Sequence, residues 1–163
     1  MKIQQLGKSK RKQEHGFTLS ELAIAVAITG ILSAIAIPNY VTQLRRSQQQ
    51  SAKATISGIK TLIAGFTDET GELPTTWDQL NGIAAVMTSS GTAKGDLDTA
   101  ITLPEGHYQV LVSGPTDAMY SISADRIDSN KKYDIKGCFN MSNGASSLNT
   151  GNGDTQAETP NCE

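Results

Sequence analysis

Between Phe17 and Ile37 lie twenty-one residues with one charge among them, Glu21, and Pro38 closes the run. As a helix this stretch would be about 30 Å long, close to the thickness of a hydrocarbon core. A helix apolar on every side has to be covered by lipid, by other helices, or by a protein interior. The fifteen residues before Gly16 are polar and basic, with Lys2, Lys8, Lys10, Arg11 and Lys12 against the single acid Glu14. That order sets an orientation, since Lys and Arg stay on the cytoplasmic side of a membrane.

Three readings follow from these residues. The first is a secretory signal peptide, for which Ala34-Ile35-Ala36 offers a small-x-small cleavage site. The second is a permanent single-pass anchor. Glu21 weighs against both, because an acid deep in lipid costs about 2.5–3.5 kcal/mol, although near the cytoplasmic end it can reach the headgroups. The third is cleavage between Gly16 and Phe17, which leaves a new α-amino group about one helical turn from Glu21. That amine can help neutralise the acid within one chain, or pair with Glu21 of a neighbouring chain. Ion pairs of this kind are weak stabilisers and better setters of register.

The third reading matches a known family. Gly16-Phe17-Thr18-Leu19-x-Glu21, followed by an apolar helix with Gly30 and Pro38, resembles the class III leader of type IV prepilins. The resemblance implies that a membrane aspartyl peptidase cuts after Gly16 and methylates the new amine of Phe17. It also implies that Glu21 is the acid used in assembly and that Gly30 and Pro38 mark a stretch able to melt or extend in the filament; the residues alone equally fit the ordinary tolerance of membrane helices for Gly and Pro. The match is specific over residues 10–45 and looser beyond. His15 stands where Lys, Arg or Gln often precedes the glycine, and Ser20 replaces the usual aliphatic residue.

Past Pro38 the helical period continues but becomes one-sided. Ala52, Ile56, Ile59, Ile63 and Phe66 recur every three or four residues, while Arg45, Arg46, Gln48–Gln50 and Lys53 face elsewhere. One helix over about 17–66 is expected, bent at Pro38 without ending there. The stripe from Ala52 to Phe66 reads as a core face rather than a cofactor box. Thr76 and Gln79 have capping-box spacing, which predicts a short helix from Trp77 to Ala85 or Val86 with Trp77 as a packing anchor. "SSGTAKGDLDTA" reads as loop. Alternating apolar residues then predict strands at Tyr108–Ser113, Met119–Asp125 and Tyr133–Phe139, separated by the turns "GPTD" and "DSNKK".

The fold class is therefore α+β: a long N-terminal helix against an antiparallel meander of three to four strands, followed by a cysteine-bounded loop. Cys138 and Cys162 frame a segment of Asn, Ser, Thr and Gly that is almost without apolar content, a pattern that reads as a disulfide formed in an oxidising compartment. Closing a loop of that size stabilises by about 3–4 kcal/mol. The expected divisions are a removed leader over 1–16, an apolar assembly helix over 17–37, its amphipathic continuation over 38–66, and a head over 67–163 with the disulfide-bounded region 138–162. In the family such a loop is exposed on the pilus and varies in sequence.

The chain shows no sign of catalysis. It has no phosphate loop, and its two histidines are His15 and the isolated His107. Asp125, Asp128 and Asp134 flank turns, where Asp is ordinary. Asn152, Asp154 and Glu158 are candidate calcium ligands, against the commoner reading of solvated turn residues. Asn140-Met141-Ser142 is a glycosylation sequon. After Gly16 there are nine Lys and Arg against fifteen Asp and Glu, which speaks against a nucleic-acid patch.

The expectation is a structural subunit, without catalytic residues, metal or cofactor, that forms a homopolymeric type IV pilus. The resemblance implies a precursor in the bacterial inner membrane and a product in an extracellular filament. It implies a prepilin peptidase/methyltransferase, an inner-membrane assembly platform and ATPase motors as partners, and adhesion, twitching motility or DNA uptake as roles. The alternatives are a pseudopilin of type II secretion, which the paired cysteines disfavour, and a secreted soluble binding protein cut after Ala36.

Overall fold

A computed structural model describes residues 16–128 and 130–163, so the expected leader lies outside the described residues except for Gly16. The chain divides into two units, Met1–Tyr40 and Val41–Glu163. Helix α1 runs Leu19–Thr70 and passes through Pro38 without a break. It continues one turn beyond the apolar stripe and stops at Gly71, whose φ of 75° is the left-handed conformation of a helix C-terminus. The Gly71 amide donates to Thr67 O at 2.8 Å, satisfying one of the last carbonyls.

In the second unit, Ala52, Ile56, Ile59 and Ile63 of α1 are buried, as their spacing predicts. Each large side chain among them contributes about 1.5–3 kcal/mol by leaving water. Their partners are the inward residues of a five-stranded antiparallel sheet. Its strands are β3 (Ile101–Thr102), β4 (Tyr108–Thr116), β5 (Met119–Arg126), β6 (Ile135–Asn140) and β7 (Ser146–Thr150), paired in sequence order. The register sets Val110 opposite Ala124 and Val112 opposite Ile122 on the core face. Tyr120 is fully buried and donates its hydroxyl to Pro74 O at 2.9 Å, and burial pushes its phenol up to about 12.

The architecture is the expected α+β meander, with differences in detail. The third expected strand begins at Ile135, because Lys131–Tyr133 form a 3₁₀ turn capped by Asn130. β7 lies inside the segment read as a coreless loop. It pairs with β6 so that Leu148 sits opposite Gly137, where a Cβ would lie 2.7 Å from Leu148 Cδ1. The glycine thus makes room for the one large apolar side chain of β7.

Helix α2 covers only Trp77–Asn81, shorter than its pattern suggests. The Thr76–Gln79 capping box is present, but Asn81 diverts the chain by accepting from Val86 N and donating to Ala93 O. The loop "SSGTAKGDLDTA" is also more ordered than expected. Strands β1 (Met87–Thr88) and β2 (Gly91–Thr92) form a small hairpin, and Ala93 and Leu97 enter the core. Trp77 is fully buried there, with Nε1 donating to Thr99 O at 3.1 Å.

Candidate assembly site

Thr18 is the residue just before α1, and its side chain organises the helix start. Its Oγ1 accepts from Glu21 N at 3.2 Å, and Glu21 Oε2 accepts from Thr18 N at 2.8 Å and Thr18 Oγ1 at 2.7 Å. This is a reciprocal capping box, which satisfies helix donors that have no partner inside the helix. The carboxylate also sits at the positive end of the helix dipole. Thr18 has the same spacing to Glu21 as Thr76 has to Gln79. The signal for it is in the sequence, as the spacing Thr18-x-x-Glu21.

Phe17 is 93 % exposed immediately before this cap. Leu22, Ile24, Val26, Ile28 and Ile31 are each more than half exposed, and α1 is long and apolar enough to cross a membrane. Within this stretch two polar side chains turn back onto their own helix. Thr29 Oγ1 donates to Ala25 O at 2.8 Å and Asn39 Nδ2 to Ile35 O at 3.2 Å. Such internal bonds suit an apolar surrounding, where an unpaired polar group is costly. Gly30 has open space where a Cβ would stand, and Pro38 lies inside the continuous helix.

The second unit ties α1 to the sheet by polar contacts at several points. Gln48 Oε1 accepts from Arg126 Nη1 at 2.9 Å, Ser51 Oγ donates to Glu105 Oε1 at 3.1 Å, and Lys60 Nζ donates to Ser146 Oγ. Arg126 binds Asp128 through two hydrogen bonds of 2.9 and 2.8 Å and lies over the Tyr108 ring.

Cys138 and Cys162 form the expected disulfide, with Cα atoms 5.9 Å apart. Asn140 of the sequon is buried and committed. Its Nδ2 donates to Cys162 O at 3.2 Å and its Oδ1 accepts from Ser142 N at 2.9 Å, so the amide is engaged in holding the tail. The three candidate calcium ligands play separate parts. Asn152 Oδ1 accepts from Asp154 N and Thr155 N, while Glu158 contributes its backbone carbonyl to Asn149 Nδ2. Among the described residues, no group of three or more His, Cys, Asp or Glu is placed to hold a metal ion.

Comparison with known proteins bears on the whole arrangement. The family model for the prokaryotic N-terminal methylation motif matches residues 11–37. Fimbrial protein EcpC of Eikenella corrodens is 30 % identical over 142 residues, covering 71 % of this chain and 93 % of the relative. The chain belongs to the type IV pilin family. The type IV major pilin protein PilA of Myxococcus xanthus (strain DK1622) is 47 % identical to this pilin over 57 residues, 35 % of this chain and 26 % of the relative. Fimbrial protein Q of Moraxella bovis is 32 % identical over 97 residues, 58 % of this chain and 62 % of the relative. The pilin thus spans about a quarter of the first of these two relatives and under two thirds of the second. No solved structure matches the pilin.

Proposed function

We propose that this pilin is a structural subunit, made as a membrane precursor, cut after Gly16, methylated on Phe17 and polymerised through α1 into a type IV pilus. The observation that carries the reading is the N-terminal part of α1, apolar and uncovered around its circumference, with its one acid fixed at the end next to Phe17. Membrane covers that surface in the precursor, and the helices of other copies cover it in the extracellular filament. Prepilin peptidase, assembly platform and ATPase motors are the partners this route requires. Gly30 and Pro38 are the points at which α1 yields. The chemistry is performed on the subunit rather than by it.

Both Thr18 bonds fall on the same carboxylate oxygen of Glu21. In the filament, Oε1 receives the Phe17 amine of a neighbouring subunit and sets the stagger of the two helices. The mass of the mature N-terminus tests processing: it should begin at Phe17 with one added methyl, and a chain beginning at Ile37 would overturn the reading. Glu21→Ala tests assembly. Processed protein should accumulate in the membrane while filaments sheared from the surface fall at least tenfold. Thr18→Ala removes the cap without removing the acid, so an equal defect in that variant would assign Glu21 to capping alone.

A further inference from the structure

Gln48 of α1 stands between two groups that make opposite demands on an amide. Its Oε1 accepts from Arg126 Nη1 at 2.9 Å, and its Nε2 lies 3.0 Å from Nε2 of His107, the residue before β4. A guanidinium only donates hydrogen bonds, so Arg126 holds the oxygen of Gln48 on its own side. Arg126 is itself held by Asp128 and by the Tyr108 ring. The NH₂ group must therefore face the imidazole. An amide nitrogen also only donates, so the imidazole nitrogen facing it has to present a lone pair. Neutral His107 bound this way carries its proton on Nδ1.

We propose that Gln48 is a charge-sensitive latch between α1 and the start of β4, closed on the neutral Nδ1–H form of His107 and opened when His107 gains a second proton. A proton on Nε2 would set N–H against N–H. Gln48 cannot relieve this by turning over, because its NH₂ would then face the Arg126 guanidinium. Histidine is the side chain suited to such a change of charge, so protonation of the imidazole is the event that opens the latch. The charged and titratable groups around it act in both directions. They are Arg126 on Gln48, Asp128 on Arg126, Arg45 of α1 acting on Asp128, and Glu105 beside the imidazole.

Glu105 shares with His107 a cleft of about 240 Å³ lined also by Ser47, Gln48, Ser51 and Tyr108. It is the acid in the lining of that cleft, available to a released imidazolium at the expense of its bond from Ser51 Oγ. The His107 carbonyl stays bound to Ile127 N at 3.1 Å. The switch therefore moves a side chain and leaves the strand in place.

The test uses the full chain in detergent with His15→Gln, which leaves His107 as its one imidazole. Long-range proton–nitrogen spectra at pH 8 should show the Nδ1–H tautomer. On acidification the Gln48 side-chain NH₂ and the Arg126 guanidinium signals should shift with the same midpoint as His107. Gln48→Leu should erase the Arg126 response while His107 still titrates. Gln48→Glu, which offers only acceptors, should hold the protonated imidazole and move its midpoint upward. An Nε2–H tautomer at pH 8, or a Gln48 amide indifferent to the titration, would overturn the proposal.

Discussion

Gln49 of α1 donates from Nε2 to the carbonyl oxygen of Gly151 at 2.8 Å, joining two residues 102 positions apart in the sequence. The same nitrogen lies 3.4 Å from Asp134 O, and the side chain is only 4 % exposed. One buried amide therefore links the helix, the start of β6 and the beginning of the tail. Asp134 extends the link, since its Oδ1 accepts from Ala157 N at 2.7 Å.

Gln49→Leu keeps the volume and leaves the Gly151 carbonyl buried without that donor. A lost partner of this kind costs about 1–3 kcal/mol. Chemical denaturation should show a loss in that range, and hydrogen exchange should rise in residues 151–157 more than in the helix. Unchanged stability would mean that water replaces the amide.

Arg126 and Asp128 give the head a dependence on acid. The hydrogen bonds from Arg126 hold the Asp128 carboxyl down at about 2, against an ordinary value of 3.8. A depressed acid stabilises the fold above its unfolded value, and that contribution disappears as pH falls from about 4 through 2. The Asp128 side chain is 43 % exposed, so solvent screening keeps the effect small. Asp128→Asn should be the less stable protein at pH 6. The gap should close progressively below pH 4 in parallel denaturation curves.

The disulfide closes a loop between residues separated by 24 positions. In the chain-entropy model this is worth about 3.5 kcal/mol. Cys162→Ser with Cys138→Ser should lower stability by roughly that amount and free residues 151–163 to proteolysis. The two cysteines should resist alkylation in the native protein until a reductant is added.

The β4–β5 turn holds Asp117 at φ 49° and Ala118 at φ 62°. Positive φ at an alanine costs about 1–2 kcal/mol relative to the right-handed region, and glycine escapes the penalty. Ala118→Gly should therefore raise the unfolding free energy, by about 1 kcal/mol at most, and the midpoint with it, since glycine also gains entropy in the unfolded chain. A lower midpoint would show that the alanine methyl contributes packing beyond the strain.

Much of this pilin is readable along one dimension because its strongest signals are local. Helical spacing from Ala52 to Phe66 and alternation at Tyr108–Val112 and Tyr120–Ala124 each repeat within one element and point to one buried face. The Glu21 pattern and the cysteines likewise speak through residue type and position. Helix α2 shows where such reading stops. Its apolar residues continue past Asn81, but the helix ends because the Asn81 side chain binds a backbone amide five residues later.

β7 was hidden for a related reason. Ser146–Thr150 has one large apolar residue, and its strand form depends on β6 beside it and on the gap above Gly137. The polar links through Gln48 and Gln49 are equally long-range, since a glutamine on a helix shows no preference in sequence for solvent or for a carbonyl a hundred residues away. By itself the sequence determined the helix, its bare apolar end, the core faces of the central strands and the family. Only the tertiary structure decided where helix α2 stops, that the tail supplies a fifth strand, and which buried amides hold it, because those outcomes rest on partners that chain folding brings together.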